Sequence, residues 1–337
     1  MTTPRIPSTA QEVHLAARPD GDITLDHFAV VETEVRRPGS GEVLVRNEYM
    51  ALAYAMSFML SLEPDPELPF PTFEVGEPLW FPAVGTVVAS ESPDLAVGDV
   101  VSHNLGWREY AVAAAEEFTK LDTGSLPDVK HFLAQQGPTA FWGVKSADIR
   151  EGDTVFVSGA AGGVGSLAGQ IAKCLGAKRV IGSAGSDEKV EYVVKELGFD
   201  AAFNYKEGSL TERLAELAPD GVDVYFDTVG GDQFEAAMQN AAHGARFVLC
   251  GALSGKNPTL DLDPAVGRDV VIKGFSTPYT PDAIADWQRQ FGEWLREGRI
   301  VFPHSVVEGG PAQAPKAFLG LLSGEYKGQV LVRLARD

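Results

Sequence analysis

The chain has 337 residues, enough for two domains with sizeable cores, and its 45% hydrophobic and 22% charged content is ordinary for a globular protein. A net charge of −19 argues against nucleic acid or an anionic membrane surface as a partner. The two cysteines, Cys174 and Cys250, are far apart and give neither a disulfide framework nor a zinc-ligand cluster, so no metal site is expected.

The N-terminal stretch MTTPRIPSTAQEVHLAARPDGD lacks the apolar core of a signal peptide. The longest apolar run, Met50 to Leu62, is broken by Ser57 and Ser61 and is too short to span a bilayer, so a cytoplasmic location is expected. Residues 1 to about 125 read as β-rich. Val43 to Asn47 alternates, Val84 to Ala89 is a β-branched run, and Asp99 to Ser102 follows a turn at Gly98. Tyr110 to Ala113 and Phe118 to Leu121 add short apolar pieces, while dense proline from Pro64 to Pro82 predicts an irregular loop.

From about residue 126 the pattern changes to alternating strands and helices. Thr154 to Ser158 is an apolar strand, followed by the turn Ala160-Ala161-Gly162-Gly163-Val164-Gly165. A helix then places Val164, Ala168, Ile171, Ala172 and Leu175 at helical spacing. Strand, glycine turn and helix in that order form the context of a dinucleotide site. Glycine permits the tight turn, the close approach of backbone N–H groups to a pyrophosphate, and close packing of helix on strand. The start of the helix offers unpaired N–H groups and a positive dipole end to phosphate. Ala160 stands where the first glycine of G-x-G-x-x-G is usual, so the fingerprint is imperfect.

The next strand, about Arg179 to Ser183, ends in Ser183-Ala184-Gly185-Ser186. A site for NADH usually carries Asp or Glu here, to bond the ribose 2′-hydroxyl. This tip has no carboxylate to repel a 2′-phosphate. Ser186 and Lys189 at the start of the following helix, and Tyr205 after the strand Ala201 to Asn204, supply the donors that a phosphate needs. Asp187 competes as a ribose ligand, but the first turn of a helix is itself a favoured place for Asp. NADPH is therefore expected in preference to NADH.

Further along, Val222 to Asp227 reads as a strand, Gln233 to Ala241 as a helix, and Arg246 to Gly251 and Val270 to Phe275 as strands. Ile284 to Arg296, with Trp287, Phe291, Trp294 and Leu295 on one face, reads as an amphipathic helix. A strand near Ser305 to Val307, a helix near Ala312 to Leu322 and a strand Gln329 to Leu334 complete the chain. Repeated β-then-α units imply a doubly wound parallel sheet with helices on both faces. The expected fold is α/β, a Rossmann domain at 126–299 inserted in a β-rich domain at 1–125 that residues 300–337 complete.

Several strings together resemble the zinc-independent medium-chain dehydrogenase/reductases, in particular the leukotriene B4 12-hydroxydehydrogenase, prostaglandin reductase and alkenal double-bond reductase group. They are VGTVVAS, AVGDVV, LGWREYAV, GPTAFWGV, VSGAAGGVGSLAGQIAK, GSDEKVEYVVKELGFDAAFNYK, DGVDVYFDTVGG, FVLCGALS and AFLGLLSGEYKGQVLV. The resemblance implies a GroES-like first domain, a Rossmann domain, NADPH in the cleft between them, and a homodimer formed through the Rossmann sheets. It implies that Gly162, Gly163, Val164 and Gly165 hold the pyrophosphate, and that Lys189 and Tyr205 hold the 2′-phosphate. It also places Thr228, the segment Cys250, Gly251, Ala252, Leu253 and Ser254 running on to Lys256, and Phe275, Ser276 and Thr277 along the cofactor.

The reaction so implied is reduction of a carbon–carbon double bond conjugated to a carbonyl, in a small apolar enone-type substrate. Hydride goes to the β-carbon, an enolate develops, and a proton reaches the α-carbon. The chain departs from the group in three places. Lys256 stands where relatives commonly have a tyrosine that assists the enolate; it reads equally as an oxyanion donor or as a solvated loop lysine. The string Ala53-Tyr54-Ala55-Met56-Ser57 replaces a charged one, which leaves Tyr54 as a candidate donor. Met50, Met56 and Met59 there read either as a pliable substrate wall or as core. Tyr326 stands where relatives often have a cofactor-contacting asparagine, and Tyr279 is a further pocket candidate. Two alternatives remain open: a quinone reductase of the same superfamily, and an NADPH-binding member without net reduction, such as a cyclase or isomerase.

Overall fold

The structure, a computed structural model, describes residues 6–61 and 70–334. The first part of the proline-dense stretch and the end of the Met50 to Leu62 run lie outside the described residues. The chain divides into two compact units, one formed by the residues up to Gln135 with those from His304 onward, the other by Gln136–Pro303.

In the first unit, β1 (Thr9–Leu15) pairs antiparallel with β2 (Phe28–Glu34). Then come β3 (Glu42–Leu52), α1 (Met56–Met59), β4 (Ala83–Ser90), β5 (Val100–His103), β6 (Tyr110–Ala114) and β7 (Thr119–Lys120). The second unit begins with α2 (Gly137–Ser146) and continues through β8 (Thr154–Val157), α3 (Gly165–Cys174), β9 (Arg179–Ala184), α4 (Asp187–Lys195) and β10 (Ala201–Asn204). It is completed by α5 (Leu210–Leu217), β11 (Val222–Asp227), α6 (Gly231–Gln239), β12 (Ala241–Leu249), α7 (Leu262–Gly267), β13 (Val271–Gly274) and α8 (Pro281–Arg296). The chain then returns to the first unit with β14 (His304–Val307), α9 (Ala314–Leu322) and β15 (Gln329–Arg333).

Strand order in the second unit is β10-β9-β8-β11-β12-β13, and every pairing is parallel. This is the doubly wound order, in which ligands bind beyond the carboxyl ends of the strands where the order reverses, here beside β8. Phe156, Tyr225 and Phe247 fill one face of the sheet with Phe234 and Met238 of α6. In α8, Ala283, Trp287, Phe291 and Trp294 form one buried face, and Trp287 stacks on Phe291 with ring centroids 4.5 Å apart. Gly137 opens α2 against Trp287, where even a Cβ would come within 2.1 Å of the indole.

In the first unit a sheet in the order β14-β15-β3-β4-β5-β7, with β6 also on β3, carries two apolar clusters. Met50, Met56 and Met59 are all buried in the cluster around Trp107 and Phe318, so these methionines are core.

Three expectations are corrected. The boundary between units lies at Gln136 rather than 126, because Leu133 is buried and Lys130 lies over the Tyr49 ring of β3 at 5.2 Å. The return lies at His304 rather than 300, since Phe302 packs on Phe291 of α8. Finally, β12 starts at Ala241, where the end of a helix was expected. Its pairing with β11 shifts between Val222 and Val224, and Gly244 takes φ +74° in the extra residues. A glycine within a strand marks such a bulge.

One buried group makes the first unit acid-sensitive. His103 is 6% exposed, and its Nδ1 accepts a 3.0 Å bond from the Leu105 N–H, which places the ring proton on Nε2. Burial, and secondarily the charge of Arg108, push its pKa down to about 3. The unfolded chain takes up this proton below pH 6.5 while the folded chain does not. This group therefore weakens the fold as pH falls from 6.5 toward 3, at up to about 1.4 kcal/mol per pH unit. His103→Gln should lose less melting temperature than wild type between pH 7 and pH 4.5. Identical losses would show that His103 takes no part.

Candidate functional site

The second unit gathers most of the sequence-derived candidates at the carboxyl ends of its strands. After β8, Gly159 takes φ +61°, a conformation that side chains with a Cβ rarely adopt. A Cβ there would also stand 2.7 Å from Thr228 Oγ1. At Gly165 a Cβ would lie 2.4 Å from the Gly159 carbonyl oxygen, and at Gly162 it would lie 3.3 Å from the same atom. The turn thus coils on itself with glycines at 159, 162 and 165. Gly159, one position before the usual first glycine of the fingerprint, supplies the sharp turn. Ala160 is buried instead, its N–H donating to the Ser183 carbonyl at 2.9 Å. Gly163 faces the Gln136 side chain, 3.1 Å from a notional Cβ. Helix α3 begins at Gly165 with Val164 as N-cap and no side chain capping it; the N–H groups of Ser166 and Leu167 donate to the Gly162 and Val164 carbonyls at 3.0 and 3.2 Å, and the positive end of the helix faces the turn.

At the end of β9 the tip carries no carboxylate. Ser186 caps α4, its Oγ accepting from the Lys189 N–H at 3.4 Å, so its hydroxyl serves the helix. Asp187 lies in the first turn of α4, and its Oδ1 accepts from Asn204 Nδ2 at 3.1 Å. Lys189 is partly buried in the same turn. The Tyr205 hydroxyl stands beside Gly185, 3.2 Å from a notional Cβ. Lys206, a residue with no distinct signal in the sequence, places its Nζ 5.8 Å from the Tyr205 ring centroid.

A buried carboxylate ties β8 to β11. Asp227 is 2% exposed, and its Oδ1 accepts from Ser158 Oγ at 2.9 Å and from the N–H groups of Val229 and Gly230 at 2.9 and 2.8 Å. Thr228 donates through N–H to Ser158 Oγ at 2.8 Å and through Oγ1 to the Ser158 carbonyl at 2.9 Å. These bonds hold the glycine turn and the Thr228 loop as one piece. The sequence signal was an acidic residue closing an apolar strand, read there only as the end of the strand.

The loop after β12 zips onto this piece. The N–H groups of Cys250 and Gly251 donate to the Asp227 carbonyl, Leu253 N–H to Thr228, and Ser254 N–H to Val229. Gly251, Ala252, Leu253 and Ser254 are exposed along it. Burial, with the charge of Asp227, pushes the Cys250 thiol up to about 12, which makes it a poor nucleophile. Lys256 is 68% exposed at its side chain, and Nζ lies 3.7 Å from an equally exposed Asp232 carboxylate.

Beyond β13, Phe275 N–H continues the ladder to the Leu249 carbonyl at 3.0 Å, and Ser276 is exposed. Thr277 Oγ1 meets Thr139 Oγ1 of α2 at 2.9 Å, and Thr139 also reaches the Tyr279 hydroxyl at 3.3 Å. Tyr54 and Tyr326 belong to the first unit. Tyr54 is 39% exposed and edges onto Phe58 at 5.9 Å. Tyr326 packs against Gly320 of α9, where a Cβ would meet its ring at 2.7 Å. Among the described residues no group of three or more His, Cys, Asp or Glu side chains could hold a metal ion, and no helix is long and apolar enough to cross a membrane.

Two family descriptions match the chain: "Zinc-binding dehydrogenase" over residues 163–295 and "N-terminal domain of oxidoreductase" over residues 11–121. The NADPH-dependent curcumin reductase of Escherichia coli is 33% identical over 96% of this chain and 96% of its own length. Prostaglandin reductase 1 of Bos taurus is 34% identical over 92% of this chain and 94% of its own. The crystal structure of CurA from Vibrio vulnificus in complex with NADPH superposes with a TM-score of 0.85 at 31% identity, covering 97% of this chain and 100% of that one. The chain belongs to the medium-chain dehydrogenase/reductase family, in the group of the prostaglandin and curcumin reductases.

Proposed function

We propose that this protein is an NADPH-dependent reductase of the carbon–carbon double bond in α,β-unsaturated carbonyl compounds. The observation that carries the reading is the pair of features at the ends of β8 and β9: a glycine turn that closes on its own backbone, beside a strand tip free of carboxylate. Gly163, Val164 and Gly165 offer the pyrophosphate backbone N–H groups at the start of α3, while Gly162, whose N–H donates to the Gly159 carbonyl at 3.0 Å, shapes the turn that carries them. Lys189 and Tyr205, with Lys206 as a further cation, meet the 2′-phosphate. The Asp227 and Ser158 network holds Thr228 and the Cys250 to Ser254 loop along the nucleotide. Thr277, braced by Thr139, orients its nicotinamide end. NADPH, when bound, supplies the hydride. The chain's task is positioning and exclusion of water, with no covalent step of its own.

Following NADPH absorbance with a panel of enones and quinones side by side tests the reading. Turnover of enones to saturated ketones is expected. Turnover of quinones alone, or of no compound in the panel, would contradict it.

The protein is further proposed to be a homodimer, formed through β13. This strand lies at the edge of its sheet, and Val271 and Ile272 are 57% and 37% exposed. An apolar edge strand of this kind is a template for pairing with a second copy. Sedimentation should show a dimer for wild type and a monomer for Val271→Asp. The same mass for both would place any interface elsewhere.

A further inference from the structure

Gln233 is a buried amide to which the proposed function gives no role. It lies in the first turn of α6, is 3% exposed, and accepts through Oε1 a hydrogen bond from Ser183 Oγ at the end of β9. Since α6 follows β11 and the sheet runs β9-β8-β11, this side chain crosses the carboxyl end of β8, where the glycine turn begins. The Ser183 carbonyl accepts from the Ala160 N–H, so the same end of β9 is fixed to that turn. Gln233 Nε2 has no hydrogen-bond partner among the described residues. A buried amide donor left unpaired is costly, and native proteins rarely keep one without a use. The start of α6 adds a second sign of a ligand. Its N-cap is Gly230, with φ +71°, and no side chain caps the nine-residue helix.

We propose that Gln233 recognises the adenosine half of the dinucleotide, its Nε2 donating to an oxygen of the adenosine ribose or the adjoining phosphate, with Ser183 holding the amide in register. This rests on the cofactor reading above. Neither residue belongs to the glycine turn or to the 2′-phosphate donors, so the contact is additional to them.

Calorimetry with NADPH and with adenosine 2′,5′-bisphosphate tests it, alongside the melting temperature of the free protein. Gln233→Met fills similar volume without a donor. It should weaken both ligands by about five- to tenfold, a neutral hydrogen bond's worth; because it also strips the buried Ser183 hydroxyl of its acceptor and so lowers the melting temperature, it is compared with the double variant Ser183→Ala, Gln233→Met, which has no orphaned hydroxyl and should bind as weakly. Gln233→Glu keeps an acceptor for Ser183 but sets an anion where the donor was, and should weaken both ligands by at least about tenfold. Wild-type affinity in any of these variants overturns the proposal, as does recovery of affinity when Ser183→Ala is added to Gln233→Met. Failure of the wild type to bind NADPH would instead sink the cofactor reading itself.

Discussion

Gly165→Ala should reduce NADPH binding by about 100-fold or more, whereas Gly163→Ala should change it by less than about tenfold. The two positions are neighbours in sequence and differ in what a Cβ would meet. At Gly165 it would lie 2.4 Å from the Gly159 oxygen, 2.9 Å from the Gly159 carbonyl carbon and 3.0 Å from Ala160 Cα. All three are backbone atoms of the same turn, so the methyl is accommodated only by uncoiling the turn proposed to present N–H groups to phosphate. Overpacking of this kind typically costs about 1–3 kcal/mol of stability, and here the strain falls on the binding geometry. At Gly163 the methyl would meet only the Gln136 side chain, at 3.1 to 3.3 Å, and that chain can swing. Titration of both variants with NADPH, monitored by fluorescence or calorimetry, separates them. Equal loss, or no loss at Gly165, would mean that the turn is not the phosphate cradle.

The second large effect concerns cofactor choice. Lys189→Ala should weaken NADPH by about 1.5–3 kcal/mol, roughly 10- to 150-fold, and leave NADH within about twofold. Lys189 stands in the first turn of α4, beside a strand tip without a carboxylate, and the Tyr205 hydroxyl lies at the adjoining Gly185. A phosphate placed there meets Lys189 only if it is the 2′-phosphate. Measured dissociation constants for both nucleotides with both proteins decide the matter. Equal weakening would move the 2′-phosphate away from this corner.

The parallel sheet was legible because its units carry local signals: apolar strands, a glycine turn, and helices with one apolar face such as Trp287, Phe291 and Trp294. The acid-free tip at Ser183 to Ser186 was legible for the same reason, being a single stretch of chain. What escaped depended on residues far apart. The β1–β2 hairpin rests on pairing across a long loop, with alternation blurred by charged residues such as Glu12, Glu32 and Glu34. The edge of the first unit was misplaced because Leu133 and Lys130 take their partners from strands more than eighty positions earlier or from the core, and composition does not reveal that. The bulge at Gly244 broke the strand pattern of β12. In the site, Gly159 was hidden by attention to the usual glycine spacing. The Ser183 and Gln233 pair joins two elements fifty positions apart and left no mark on either stretch. The three methionines each had two readings in the sequence, and only burial separates them.

The proposed reaction is transfer of hydride from NADPH to the β-carbon of an enone. Incubating the protein with NADPH deuterated at the transferring C4 position and an enone, then locating the label in the product by NMR, tests it most directly. A saturated ketone with deuterium on the β-carbon and one NADPH consumed per product are expected. Deuterium on the carbonyl carbon of an allylic alcohol, or product formed with no NADPH consumed, would contradict it.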